Sequence, residues 1–141
     1  MKIAKRNPFE GKPVIHTPDI FGATVGKDFF YRIPVTGKRP IEIAVNNTEL
    51  ELKSGVIYGN ISECKKFEIE ITAQNSCGTE RKTLFITIEK DGVLKTPLLG
   101  FTSWNAFGTK VNQEDIEKTA DLLIESGIAD YGYSYLNLDS G

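Results

Sequence analysis

Few side chains in this chain have the type and placement to do chemistry, and two stand apart. Trp104 follows the apolar run Leu98-Leu99-Gly100-Phe101, and Asp139 closes the run Tyr135-Leu136-Asn137-Leu138. An indole offers a flat apolar face that can stack on a ligand ring, and a carboxylate can accept paired, charge-assisted hydrogen bonds. Each residue also has a purely structural reading: Trp104 as a plug at the end of a sheet, Asp139 as a cap on the loop that follows it.

The remaining candidates are weaker. Glu68 and Glu70 alternate with Phe67, Ile69 and Ile71, as Glu42 and Glu51 alternate with aliphatic residues, so they mark solvated sheet faces rather than an acid/base pair. His16 is the single histidine and there is no CxxC pair, which leaves no zinc site of ordinary ligand spacing and no expected metal or cofactor. Cys64 and Cys77 flank Lys66 to Asn75, which reads as one extended strand. At ~3.3 Å per residue their Cα atoms lie far beyond the ~7 Å reach of a disulfide, so two free thiols are expected. The sequons Asn46-Asn47-Thr48 and Asn60-Ile61-Ser62 matter only where secreted proteins are glycosylated.

A formal net charge of -2, with basic residues scattered among acids, gives no face that would neutralise phosphates, so nucleic acid is not an expected partner. No run approaches the ~20 apolar residues of a membrane span. Met1 to Pro8 lacks the apolar stretch of a secretory signal.

The elements that must position Trp104 and Asp139 follow from periodicity. Residues 1–12 are polar and punctuated by Pro and Gly, the pattern of a loosely held leader. Residues 13–90 consist of short β-rich runs broken by turn signals at roughly 8- to 12-residue spacing, the pattern of an all-β, immunoglobulin-like sandwich of about seven strands. Phe29 to Ile33 closes at Pro34, Ile41-Glu42-Ile43-Ala44-Val45 alternates, and Ser54-Gly55 turns the chain into Val56-Ile57-Tyr58-Gly59. Phe67, Ile69 and Ile71 and then Leu84, Ile86 and Ile88 form two inward triads, joined by the turn cluster Gln74 to Thr79. The aromatics Phe30, Tyr31, Tyr58 and Phe85 are assigned mostly to the core; exposed, they would suit a carbohydrate platform.

Residues 91–95 form a linker, and the period then changes. Leu98 to Phe101 reads as a buried parallel strand. Asn112 is placed to cap a helix, Glu114 and Asp115 fall in its first turn, and Gly127 is placed to end it. Ile116, Ala120, Leu123 and Ile124 supply one apolar face, and Tyr133 to Asp139 supplies the second strand. Strand, helix and strand make a βαβ unit.

Thr96-Pro97-Leu98-Leu99-Gly100-Phe101-Thr102-Ser103-Trp104-Asn105-Ala106-Phe107-Gly108 resembles the TPPMGWNSWNAFG opening of the α-galactosidase barrel of glycoside hydrolase family 27. Ser126 to Tyr133 is similar to that family's SGLADAGY segment, and Tyr135 to Asp139 to its YVNID strand. The part containing Phe29 to Pro34 and Thr36 to Pro40 resembles, more softly, the immunoglobulin-like domain placed before such barrels in bacterial glycosidases.

The resemblance implies that residues 96–141 are the start of an incomplete (β/α)8 barrel, truncated after its first βαβ unit. It implies that Trp104 stacks on a sugar ring and that Asp139 accepts hydrogen bonds from sugar hydroxyls at the C-terminal face of the strands. Ser140 stands where the family carries a second acid, which leaves substrate preference open. Retaining glycosidases need two carboxyls ~5 to 5.5 Å apart. In this family both come from later strands, so no catalytic residue is expected in this chain, and it is expected to be inactive by itself. The parent enzyme would cleave terminal α-galactosyl linkages, in the periplasm or outside the cell. A carbohydrate-binding or protein-interaction sandwich is the alternative, with self-association through unpaired barrel strands as a further expectation.

Overall fold

The computed structural model describes residues 7–92 and 94–139. In chain order the strands are β1 (Val14–Ile15), β2 (Ile20–Thr24), β3 (Asp28–Arg32), β4 (Val35–Thr36), β5 (Glu42–Val45), β6 (Glu51–Lys53), β7 (Val56–Asn60), β8 (Lys65–Asn75) and β9 (Gly78–Glu89). After them come β10 (Gly100–Thr102), the short helix α1 (Trp104–Phe107), the helix α2 (Gln113–Glu125) and β11 (Tyr135–Asn137).

Alternation of aliphatic and polar residues makes the first nine strands a two-layer sandwich. One sheet has the order β2-β9-β8-β5 and the other β3-β7-β6, so seven strands carry the layers while β1 and β4 form a small ribbon beside them. Ile57, from the three-stranded sheet, meets Ile69, Ile71, Leu84 and Ile86 of the other in one core, and all five are at most 1% exposed. The two aliphatic triads expected to face each other instead lie side by side. Phe67 pairs with Ile86 and Ile69 with Leu84 on neighbouring strands, and together they face Ile57. Hairpin partners necessarily share a sheet, so their inward residues pave one face of it. The pairing also runs further than the turn cluster suggests, to Asn75 opposite Gly78, leaving only Ser76 and Cys77 as the turn. Cys64 and Cys77 are exposed, unpaired thiols at opposite ends of β8.

Three of the four aromatics assigned mostly to the core are on the surface: Phe30 is 71% exposed, and Tyr58 and Phe85 also face solvent. Period 2 settles this, because Phe29 and Tyr31 take the inward positions of β3 and leave Phe30 outward beside Tyr58. The expected leader lies partly outside the described residues. Its described part is held to the sandwich: the Pro8 and Gly11 carbonyls accept from the Gly37 and Lys38 amides, and the Asn75 side chain donates to Gly11 as well.

The second part is thinner. β10 and β11 are parallel, in register Gly100 with Tyr135 and Thr102 with Asn137, and α2 lies between them in sequence. A Cβ at position 100 would sit 2.0 Å from the Tyr135 carbonyl oxygen, so only glycine lets the strands approach this closely. The Asn112 side chain accepts from the Asp115 amide at 3.0 Å, capping α2, and Gly127 ends it in the left-handed conformation with φ of 75°. Burial falls short of expectation. Leu98 and Leu99 are exposed and precede the strand, and no residue of α2 is buried, with Ile124 63% exposed. Two strands and a helix form a layer too narrow to cover an apolar stripe.

Part of what seats this region on the sandwich is a small polar and aromatic contact, beside the buried Ala129 and the Pro8 and Phe9 side chains that approach Gly127. Asp130, in the 3₁₀ turn Ile128–Tyr131 that follows α2, accepts from the Arg32 guanidinium at 3.0 Å and from that of Arg39 at 2.8 Å. Next to it the Tyr131 ring lies 4.8 Å from the His16 imidazole, whose Nε2 shares a hydrogen with the Thr36 hydroxyl at 2.8 Å. Asp130→Ala removes both ion pairs and is expected to destabilise this part by about 1–2 kcal/mol, the half-exposed guanidiniums softening the loss. Hydrogen exchange should show faster opening at 128–137 than at 67–88; equal change in both would refute a local seat. Ile57→Ala is expected to lower global stability by about 2–5 kcal/mol in urea unfolding.

Candidate functional site

Because β10 and β11 are parallel, their C-terminal ends lie at one edge, and both candidate residues follow those ends. Trp104 opens α1 one residue after Ser103, and Asp139 comes two residues after β11. Trp104 is 37% exposed and Asp139 is exposed. Among the described residues no cation pairs with the Asp139 carboxylate.

The residue that joins them is Ser103, which the sequence marks only as one member of the run Thr96 to Gly108. Ser103 is fully buried. Its amide donates to the Asn137 carbonyl at 3.1 Å, and its hydroxyl accepts from the Asp139 amide at 3.1 Å. Its carbonyl accepts from the amides of Ala106 and Phe107, which starts α1 at Trp104. Ser103 occupies an N-cap position, where a serine hydroxyl ordinarily turns to its own helix; here it makes no cap bond because it is engaged with the neighbouring strand end. One serine thus fixes the backbone beneath Trp104 to the backbone of Asp139. Phe107 packs on Phe101 with ring centroids 6.0 Å apart, which holds α1 against β10, and Asn105 is exposed. Ser140 lies outside the described residues.

This edge is open. Two adjacent strands make an open edge rather than a cavity, and a shallow hollow nearby lies between Val111, Ile116, Glu117 and Leu138. A deeper cleft of about 630 Å³ lies at the opposite, N-terminal ends of β10 and β11, between this part and the sandwich. Phe30, Tyr58, Leu98 and Tyr135 line it, whereas Trp104 and Asp139 do not. Beside it, burial pushes the Tyr31 phenol above its ordinary pKa; the Thr17 hydroxyl is near enough to soften the rise, although the two oxygens miss hydrogen-bond geometry. The described residues contain no group of three or more His, Cys, Asp and Glu side chains that could hold a metal ion. The acidic positions of the sandwich are scattered over its surface: Glu42, Glu51 and Glu68 are exposed and Glu70 is half-buried.

Ser103→Ala is expected to free the Asp139 amide, cost about 1–3 kcal/mol of local stability, and shift the Asp139 and Asn137 amide resonances while leaving 65–89 unchanged in ¹H–¹⁵N spectra. An unchanged Asp139 amide would show that the link is idle.

No protein-family model matches the chain. Curated relatives align with about a third of it. Alpha-galactosidase 3 of Arabidopsis thaliana is 45% identical over 49 residues, 35% of this chain and 11% of the relative. The alpha-galactosidase of Cyamopsis tetragonoloba is 40% identical over 52 residues, 37% of this chain and 13% of the relative. A solved Bacteroides fragilis structure, provisionally named an alpha-galactosidase, superposes with a TM-score of 0.86 at 37% identity, covering 96% of this chain and 30% of that one. A second, provisionally named an alpha-galactosidase/melibiase, superposes with the same TM-score at 38% identity over 94% of this chain and 29% of that one. Titin immunoglobulin domains superpose with a TM-score of 0.47 at 14% identity, covering 57% of this chain and 51% of that one. The chain thus spans 11–13% of the two curated relatives and 30% or less of the two solved bacterial structures. It is related to alpha-galactosidases at moderate identity over part of its length, and shares the fold of the two bacterial structures over nearly all of it.

Proposed function

We propose that this chain contributes an immunoglobulin-like brace and the first βαβ unit of a (β/α)8 barrel to an α-galactosidase-like retaining glycosidase. The observation that carries the reading is the parallel pair that brings Trp104 and Asp139 to one edge, joined through Ser103. Barrel enzymes collect their reacting groups at this edge from several strands. Relatedness to alpha-galactosidases supports the same assignment.

In this reading the chain binds and orients. The Trp104 face takes the apolar CH side of a galactosyl ring, and the Asp139 carboxylate accepts from neighbouring hydroxyls, fixing the ring against the strand ends. Ser103 sets the spacing between these contacts. Bond cleavage needs a nucleophilic carboxylate and an acid/base carboxyl on opposite sides of the anomeric carbon, ~5 to 5.5 Å apart. Later strands of the barrel supply that pair, so the chain alone binds weakly and turns over nothing.

Trp104 is the only tryptophan, which makes its fluorescence a clean reporter. Galactose is expected to quench it saturably, and Asp139→Ala to weaken that binding roughly 10- to 100-fold, the worth of hydrogen bonds to a charged acceptor. With an aryl α-galactoside the purified chain should release no phenol above buffer. Turnover by the chain alone, or quenching indifferent to Asp139, would overturn the reading.

A further inference from the structure

The barrel edge leaves unexplained the most exposed aromatic of the sandwich and the cleft beside it. Phe30 and Tyr58 are cross-strand neighbours on the outer face of β3 and β7, with ring centroids 6.4 Å apart and planes tilted by 37°. Across the cleft stand Leu98 and Tyr135, from the residues just before and at the start of the parallel pair. Neither part alone makes the cleft: the sandwich gives one wall and the βαβ unit the other.

Its charge state narrows the occupant. The charged or chargeable cleft residues besides tyrosines are His16, Arg32 and Lys95. Arg32 is committed to Asp130, Lys95 to Glu89 at 2.8 Å, and His16 to Thr36. No free cation remains among the described lining residues to pair with an anionic ligand. The cleft also holds the hydroxyl-bearing residues Tyr58, Tyr135, Thr96 and Ser134. Exposed rings set at an angle, with hydroxyl-bearing residues on the same lining and no spare charge, suit a neutral ligand that has an apolar face and many hydroxyls of its own. A volume of about 630 Å³ falls within the usual range for a small-ligand site and accommodates more than one sugar ring.

From these features we infer that the cleft between the sandwich and the βαβ unit is a saccharide-binding site, separate from the edge carrying Trp104 and Asp139, with Phe30 and Tyr58 as its stacking platform. The inference does not rest on the glycosidase reading, because it concerns the opposite ends of β10 and β11 and needs no catalysis. The site holds a neutral oligosaccharide where the two parts of the chain meet.

The test is a ¹H–¹⁵N titration of the full chain with stachyose, a neutral oligosaccharide. Saturable shifts are expected at Phe30, Tyr58, Leu98 and Tyr135. Phe30→Ala and Tyr58→Ala should each weaken binding roughly 3- to 10-fold, the worth of one ring contact, and both positions are exposed enough for the fold to survive. Phe85→Ala, an exposed ring outside the cleft, should change nothing. Shifts confined to Trp104 and Asp139 would overturn the cleft while favouring the barrel-edge site. Absence of any shift, or capture of the cleft by a proline-rich peptide in place of the sugar, would overturn it too.

Discussion

Asp130 accepts hydrogen bonds from two guanidiniums of the sandwich, and the seating of the βαβ unit depends on that shared carboxylate. The sandwich has its own core and its own paired sheets of four and three strands. The βαβ unit has only two paired strands and a helix with no buried residue, so its own packing contributes little. It is held where the 3₁₀ turn after α2 meets the ribbon of β1 and β4, by the Asp130 pairs and by Tyr131 against His16. That turn leads directly into β11, so the seat on the sandwich also fixes where β11 begins.

From that placement follow two ends with different chemistry. At the C-terminal ends of the parallel pair, Ser103 stitches the strands together below an exposed carboxylate and a half-open indole. At the N-terminal ends, the same strands close a cleft against the outward aromatics of β3 and β7. Parallel pairing makes this separation possible, because it sends both chain ends of each kind to the same side.

Much of the fold was legible because period decides burial. The alternation in β5, β8 and β9, the Ser54-Gly55 turn, the Asn112 cap and the Gly127 stop are local signals, and local physics acts on them directly. The exposure of Phe30, Tyr58 and Phe85 was not legible. Hydrophobicity says that a ring gains from burial, but only the pleat says which rings of a run such as Phe29-Phe30-Tyr31 point inward. Leu98 and Leu99 misled for a related reason: an apolar run reads as a buried strand when a layer covers it, and here none of the described residues does.

The amino-acid order by itself determined the sandwich strands β3, β5, β7, β8 and β9, the helix with its caps, and the motif residues Trp104 and Asp139 at the ends of apolar runs. Tertiary structure alone decided that those two share an edge, that Ser103 is their link, and that Asp130 ties the halves together. These contacts join residues 34 to 98 positions apart in the chain. No periodic pattern spans such a distance, since each depends on the registers and turns of every element folded between.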